Sequence, residues 1–264
     1  MGILNVTPDS FSDGGKFLQR EAALQHVEQM LREGADIIDV GGESTRPGAE
    51  TVSAEEELNR VLPVIEAIRT VSDIPLSVDT STPAVMQEAA ASGVSMINDV
   101  RALRREGALL AAQQTGLPIC LMHMQGDPKT MQMDPVYTDL IEDIRAFFVA
   151  RIKACEDAGI ARDLLILDPG FGFGKTPQQN LQLINQLDSF ANLGRPLLVG
   201  VSRKSTIGKV LQSVGEDRLV GSLTGAVWAY LRGASILRVH DVAATREALT
   251  MARALMTNGS GLPE

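Results

Sequence analysis

The chain has 264 residues, 44% of them hydrophobic, and a formal net charge of −9. That length suits one large α/β barrel with an extensive core. The acidic balance argues against a nucleic-acid partner, because phosphate neutralisation needs clustered Lys and Arg. No apolar run approaches the roughly 18 residues of a membrane span, so no membrane association is expected.

In chain order, the first apolar run is GILN, ending at Asn5. A polar segment, VTPDSFSDGGK, leads into a helix pattern in which Leu24, Val27, Met30 and Leu31 share a face. DIIDVGGE follows, carrying Asp39 and Glu43, then the polar loop ESTRPGAETV. The next helix pattern buries Leu58, Val61, Leu62, Ile65 and Ile68. It opens with Ser53 and Glu56 at capping-box spacing, and Pro63 predicts a kink within it. PLSVD ends at Asp79, and Pro83 can start the following helix because the first helical position needs no N–H. SMIND brings Asn98 and Asp99, ICLMH brings His123, and LLILD brings Asp168. PLLVGVSRK brings Ser202 and Lys204, and SILRVH brings Arg238 and His240. A helix pattern follows each run. Eight such units predict a single-domain (β/α)8 TIM barrel over residues 1–264, with a frayed tail from 258.

Gly34, Gly93, Gly116, Gly159, Gly194 and Gly233 each sit shortly before a strand, where a left-handed residue closes the preceding helix. These turns are short, whereas the loops after strands one, two and five are long and polar. In this fold the site is built at the C-terminal ends of the strands. The asymmetry and the polar strand ends therefore point to the same face.

Asp79, Asn98 and Asp168 end separate strands and form a ring of acceptors and amides suited to a flat heterocycle edge that presents several N–H groups. One such residue alone would read as a helix cap. DPGFGFGKT lacks the glycine spacing of a phosphate loop. Its glycines instead allow the backbone close to a flat ligand. Arg238 and His240 close the last strand, a usual anion-binding region of this fold, and Arg46 on the second loop can supply another clamp. Asp99 and His123 read as structural, and His26 as a surface residue. Asn5 can give one oxygen to a magnesium ion held mostly by substrate phosphates. Cys120 and Cys155 have no metal-ligand spacing and read as reduced thiols, and no signal peptide is evident, so a cytoplasmic protein is expected.

MGILNVTPDSFSDGG, DIIDVGGESTRPGAE, SVDTSTP, INDVR, LMHMQG, LDPGFGFGK, VGVSRKS and RVHDV, in this order, resemble the dihydropteroate synthase family of the bacterial folate pathway. The resemblance runs from Met1 to about Asp241. It implies condensation of p-aminobenzoate with 6-hydroxymethyl-7,8-dihydropterin diphosphate, with loss of pyrophosphate, by a dissociative substitution. It also implies a pterin subsite of Asp79, Asn98, Val100, Met122, Asp168, Phe173, Gly200 and Lys204. The implied diphosphate subsite is Asn5, Thr45, Arg46, Arg238 and His240, with Mg2+ on Asn5. The implied aminobenzoate subsite is Thr45, Pro47, Phe173, Ser202 and Lys204. Asp79, Lys204, Arg46 and Arg238 carry the chemistry, loops bearing Phe11 and Arg46 fold over the site, and a homodimer and sulfonamide binding follow by analogy.

Family members usually carry a β-hairpin ahead of the strand that begins here at Met1. The expected barrel lacks it, through a misplaced start or a truncation. Apolar ends near Leu76 and Leu165 are then left uncovered, and the chain should melt lower than one extended upstream. Three other readings compete. A methyltetrahydrofolate-type methyltransferase barrel would not need the anion-binding residues. A Schiff-base aldolase would use Lys204. An inactive barrel would only bind pterin or a partner protein.

Overall fold

The computed structural model describes residues 1–7, 16–44, 52–126, 135–212 and 218–258, with the side chains of residues 16–19 excepted. Eight parallel strands lie in sequential order: β1 (Gly2–Asn5), β2 (Ile38–Gly41), β3 (Leu76–Asp79), β4 (Met96–Asp99), β5 (Ile119–Met122), β6 (Leu165–Asp168), β7 (Leu197–Val199) and β8 (Ala234–Leu237). The Ile3 N–H donates to the Val239 carbonyl (3.0 Å) and the Val239 N–H to the Met1 carbonyl (2.9 Å), which joins the last strand to the first. The helices are α1 (Lys16–Arg32), α2 (Ala54–Arg69), α3 (Pro83–Ala91), α4 (Ala108–Thr115), α5 (Leu140–Asp157), α6 (Pro177–Asn185), α7 (Ser205–Leu211), α8 (Leu219–Leu231) and α9 (Val242–Met256). The fold is the expected (β/α)8 barrel, except that two helices follow β7.

Strand alternation sorts the side chains into two layers. Ile38, Val40, Leu76, Val78, Ile97, Ile119, Leu121, Leu165, Leu167, Leu197 and Val199 belong to the large core shared with the helices. Met96, Cys120 and Leu198 pack with Met1, Ile166 and Ile236 as a separate cluster inside the barrel. Asp39, Ser77, Asp79, Asn98 and Asp168 alternate with the helix-facing residues and therefore point inward. Leu76 and Leu165 are fully buried against the helices, which corrects the expectation that they lie uncovered at the barrel bottom. The open groove at that end, about 440 Å³, is instead lined by Ile37, Tyr230, Ile236 and Leu249 among others.

Two strands end earlier than the sequence suggested. β7 stops at Val199, so Ser202 and Lys204 stand on the following turn, where Arg203 takes a left-handed φ of +56°. Leu167 opposite Leu197 is the single register pair between β6 and β7, against four between β5 and β6, and the β7–β8 register shifts between Leu197 and Leu198. β8 stops at Leu237, leaving Arg238 and His240 just past its end.

Local chemistry follows the sequence. All six glycines before the strands have positive φ, from +65° at Gly116 to +98° at Gly233. Ser53 caps α2 by accepting the Glu56 N–H, and Pro83 is at the first turn of α3. α2 is assigned as one continuous helix through Pro63. Among the described residues no helix is long and apolar enough to cross a membrane.

Candidate active site

The inward polar residues meet at the C-terminal mouth of the barrel. Asn5 and Gly41 are register partners, as are Gly41 and Asp79, and Asp79 and Asn98. A Cβ on Gly41 would stand 3.4 Å from the Asp79 Cβ and 3.8 Å from Asn5 Oδ1, in ordinary contact with both, so this position lies between the two side chains. Asp168 stands opposite Met122 on the other side of the mouth.

A charged network binds this floor together. Arg238 Nε donates to Asp39 Oδ2 at 2.6 Å, and its Nη2 donates to Asp79 Oδ2 at 2.9 Å. Asn98 Nδ2 donates to the same Asp39 oxygen at 3.1 Å. Asp39 is fully buried, and sequence reasoning gave it no role. The signal was present: Ile38 and Val40 face the helices, so the acidic residue between them must face the barrel interior.

Burial is the main influence on the site's titration. It lifts the Asp79 carboxyl to about 7, against the lowering effect of Arg238 and with Asp39 adding to the rise. Burial likewise lifts Asp168 to about 6, against the Gly170 N–H, which donates to its Oδ1 at 2.7 Å. Burial alone would lower Arg238, but Asp39 and Asp79 outweigh it and hold the guanidinium firmly charged. His240 is pushed down to about 4 by burial and the nearby Arg203 and Arg238 charges, so its ring is neutral at neutral pH. Its Nδ1 lies 3.0 Å from Ser202 Oγ, which pairs two of the expected site residues.

Val100, Met122 and Phe173 pack as one buried cluster with Met124, which the sequence reading did not include. Lys204 Nζ sits 4.0 Å above the centre of the Phe173 ring. Gly172 makes room, since a Cβ there would stand 3.2 Å from Lys204 Cδ. Gly200 follows β7 and faces Arg238, with 3.7 Å from a Cβ built on it to the Arg238 Cβ. The described floor thus brings together Asn5, Asp79, Asn98, Val100, Met122, Asp168, Phe173, Gly200, Ser202, Lys204, Arg238 and His240. Phe11, Thr45, Arg46 and Pro47 lie outside the described residues.

Asp99 points away from the mouth. Its carboxylate accepts the Arg101 N–H (2.8 Å), the Leu103 N–H (2.7 Å) and the Ser81 hydroxyl, and so fastens the loop after β4. His123 is buried against Lys175, and His26 is on the surface, both as expected. No group of three or more His, Cys, Asp or Glu is placed to hold a metal among the described residues.

The loop after β6 is tightly fitted. A Cβ on Gly170, at φ +72°, would stand 1.9 Å from the His123 carbonyl oxygen. Gly170→Ala should therefore lose about 3 kcal/mol or more of stability, since strain and a backbone clash combine. Thermal unfolding would show a melting temperature lower by roughly 6–12 °C at this chain size. An unchanged melting temperature would refute the tight fit.

A sequence profile described as "Pterin binding enzyme" matches residues 1–240. The dihydropteroate synthase of Escherichia coli K12 is 54% identical over 257 residues, covering 97% of this chain and 91% of the relative. The crystal structure of the Yersinia pestis dihydropteroate synthase with a sulfonamide drug complex superposes with a TM-score of 0.93 at 54% identity, covering 97% of this chain and 94% of the other. The Xanthomonas albilineans dihydropteroate synthase with 4-aminobenzoic acid superposes with a TM-score of 0.92 at 49% identity, covering 100% and 93%.

Proposed function

The chain belongs to the dihydropteroate synthases among the pterin-binding enzymes, and from that premise we propose how its own residues carry the reaction. It condenses p-aminobenzoate with 6-hydroxymethyl-7,8-dihydropterin diphosphate to give 7,8-dihydropteroate and pyrophosphate. The observation that carries the assignment of roles is the placement of Arg238 between Asp39 and Asp79 on the barrel floor.

Asp168, Asn98 and Asp79 present acceptors and an amide to the pterin edge, with Val100, Met122 and Phe173 as its apolar walls. The bond from the pterin methylene carbon to the diphosphate oxygen breaks, and its electron pair leaves with pyrophosphate. Asp79 and Asp39 supply negative potential beneath the methylene cation, in a site where charge is poorly screened. Arg238, His240, Thr45 and Arg46 hold the leaving pyrophosphate. The aminobenzoate nitrogen, placed by Phe173, Pro47, Thr45, Ser202 and Lys204, then forms the new C–N bond and loses a proton to solvent or pyrophosphate.

Asn5 fits a magnesium ion as the donor of one amide oxygen at the end of β1, with the rest of its coordination coming from diphosphate and water. Such an ion neutralises charge on the leaving group when bound. We place the enzyme in the cytoplasm, which suits its two buried free cysteines. We also read it as a homodimer, which suits the exposed Val220, Trp228 and Leu231 on α8. Sulfonamides, as aminobenzoate mimics, would enter beside Phe173 and Lys204.

The direct test is pyrophosphate release that requires both substrates together. Release with the pterin diphosphate alone, or none with the pair, would refute the condensation. A second result concerns protons. Below pH 6, Asp168 and Asp79 are largely protonated in the free site, and their anionic forms accept the pterin N–H groups. Pterin binding near pH 6 should therefore release protons and tighten as pH rises towards 7. Calorimetry in buffers of different ionisation enthalpy reads this directly, and pH-independent affinity would contradict it. The same raised values mean that these two carboxyls bind more protons folded than unfolded between about pH 4 and 7. They therefore make the free protein less stable as pH rises through that window.

A further inference from the structure

Lys175 is almost completely buried, at 2% exposure, and the reaction as derived above does not use it. Its Nζ lies 2.9 Å from the Phe173 carbonyl oxygen, 3.0 Å from the Gly170 carbonyl oxygen and 3.0 Å from His123 Nδ1. We propose that Lys175 is a positioning residue for the aminobenzoate side of the site: its ammonium clamps the 170–173 turn to the end of β5 and so sets the backbone from which the Phe173 ring meets Lys204. This rests on the placement of Phe173 and Lys204 beside aminobenzoate given above.

An ammonium has three donors and no acceptor. Here it faces two carbonyl oxygens and one ring nitrogen, and His123 is held neutral because burial and the adjacent Lys175 charge push it down to about 2. The cage therefore matches the charged lysine donor for acceptor. The Gly170 oxygen also takes the Phe173 N–H at 3.1 Å, so losing the lysine leaves it one partner. The Phe173 oxygen takes its bond from Lys175, so the loss falls chiefly on that residue. The rest of the turn is fastened independently: Gly172 N–H donates to Asn180 Oδ1 at 2.7 Å, and Tyr137 Oη donates to the Gly174 oxygen at 2.7 Å. Burial lowers Lys175 to about 7, with Asp168 opposing and Lys204 reinforcing that effect. The groups facing the cage are thus His123 from the end of β5, Asp168 from β6, Lys204 from the turn after β7 and Arg104, which acts on His123 from the loop after β4.

Lys175→Met keeps the bulk and removes the donors. Steady-state pyrophosphate release should show the KM for p-aminobenzoate raised roughly tenfold or more, as expected of a displaced contact group. The calorimetric Kd for 6-hydroxymethylpterin should move less, by about threefold or under, since Phe173 is one of three apolar walls there and the Asn98 and Asp79 strand ends are untouched. An unchanged aminobenzoate KM in the folded variant would overturn the proposal, as would equal losses for both ligands, which a merely structural lysine would give. If the variant does not fold, the wild-type chain still decides. Hydrogen-exchange protection at the Phe173 N–H, corrected for intrinsic rate, should fall as pH is raised from about 6 to about 9 and the clamp loses its charge. Constant protection would overturn the proposal. A wild-type chain that released no pyrophosphate would count against the synthase roles, and the exchange measurement would still report on the clamp.

Discussion

Replacing Arg238 with Ala should abolish turnover by at least ~10³-fold, equivalent to about 4 kcal/mol of lost transition-state stabilisation, and should also destabilise the fold. Two effects coincide at this residue. The guanidinium is the strand-end cation for the leaving pyrophosphate, and in the free site it compensates Asp39 and Asp79 together. Removing one member of a buried ion network strands the others, at about 3–5 kcal/mol. Arg238→Lys should rescue little, because one ammonium cannot reproduce Nε on one carboxylate and Nη2 on another. Adding Asp39→Asn to Arg238→Ala removes one stranded carboxylate, so it should regain part of the melting temperature and none of the turnover. Steady-state kinetics, pyrophosphate calorimetry and thermal unfolding on the three variants check this together. Wild-type pyrophosphate binding in folded Arg238→Ala would place the anion site elsewhere.

Asp168→Ala should remove pterin binding and leave the barrel folded. Its carboxylate is braced by the Gly170 N–H and stands at the end of a buried strand. Two charge-assisted bonds to pterin N–H groups, each worth about 1.5–3 kcal/mol, give a loss of roughly 10²- to 10⁴-fold in affinity. The fold should survive because burial already disfavours this charge, as its raised titration shows. Calorimetry with pterin, alongside a melting curve, is the measurement. Retained affinity in the folded variant would remove Asp168 from the pterin subsite.

The barrel and the place of its site were legible because alternation along short strands leaves little choice. In SMIND, Ile97 must face the helices, so Asn98 turns to the mouth and Asp99 turns back to fasten its own loop. The same rule exposes Asp39 as an interior charge. In DIIDVGGE it stands mid-strand, two residues short of the strand end, so the sequence marks it as polar without marking a role. The ends of β7 and β8 were overextended because VGVSRK and RVH continue an apolar rhythm. The left-handed Arg203 and the single bridge between Gly2 and Val239 are tertiary outcomes that no local pattern announces. The cage around Lys175 was hidden for another reason: a lysine after glycines reads as solvated until three acceptors are seen around it.

The thin ladder at β7 has a mechanical consequence. β6 and β7 meet at one register pair, and the register slips again between β7 and β8, whereas β1 to β6 are stitched almost continuously. The ladder of the wall is therefore dense on the side of Asp79 and Asn98 and thin between β6, which carries Asp168, and β7. The stack of Lys204 on Phe173 bridges the loops that leave β7 and β6, directly over that slack seam. Strain from a thickening ligand, as a flat ring gains an aryl amine, would be taken up there, and the floor that grips the ring would keep its shape.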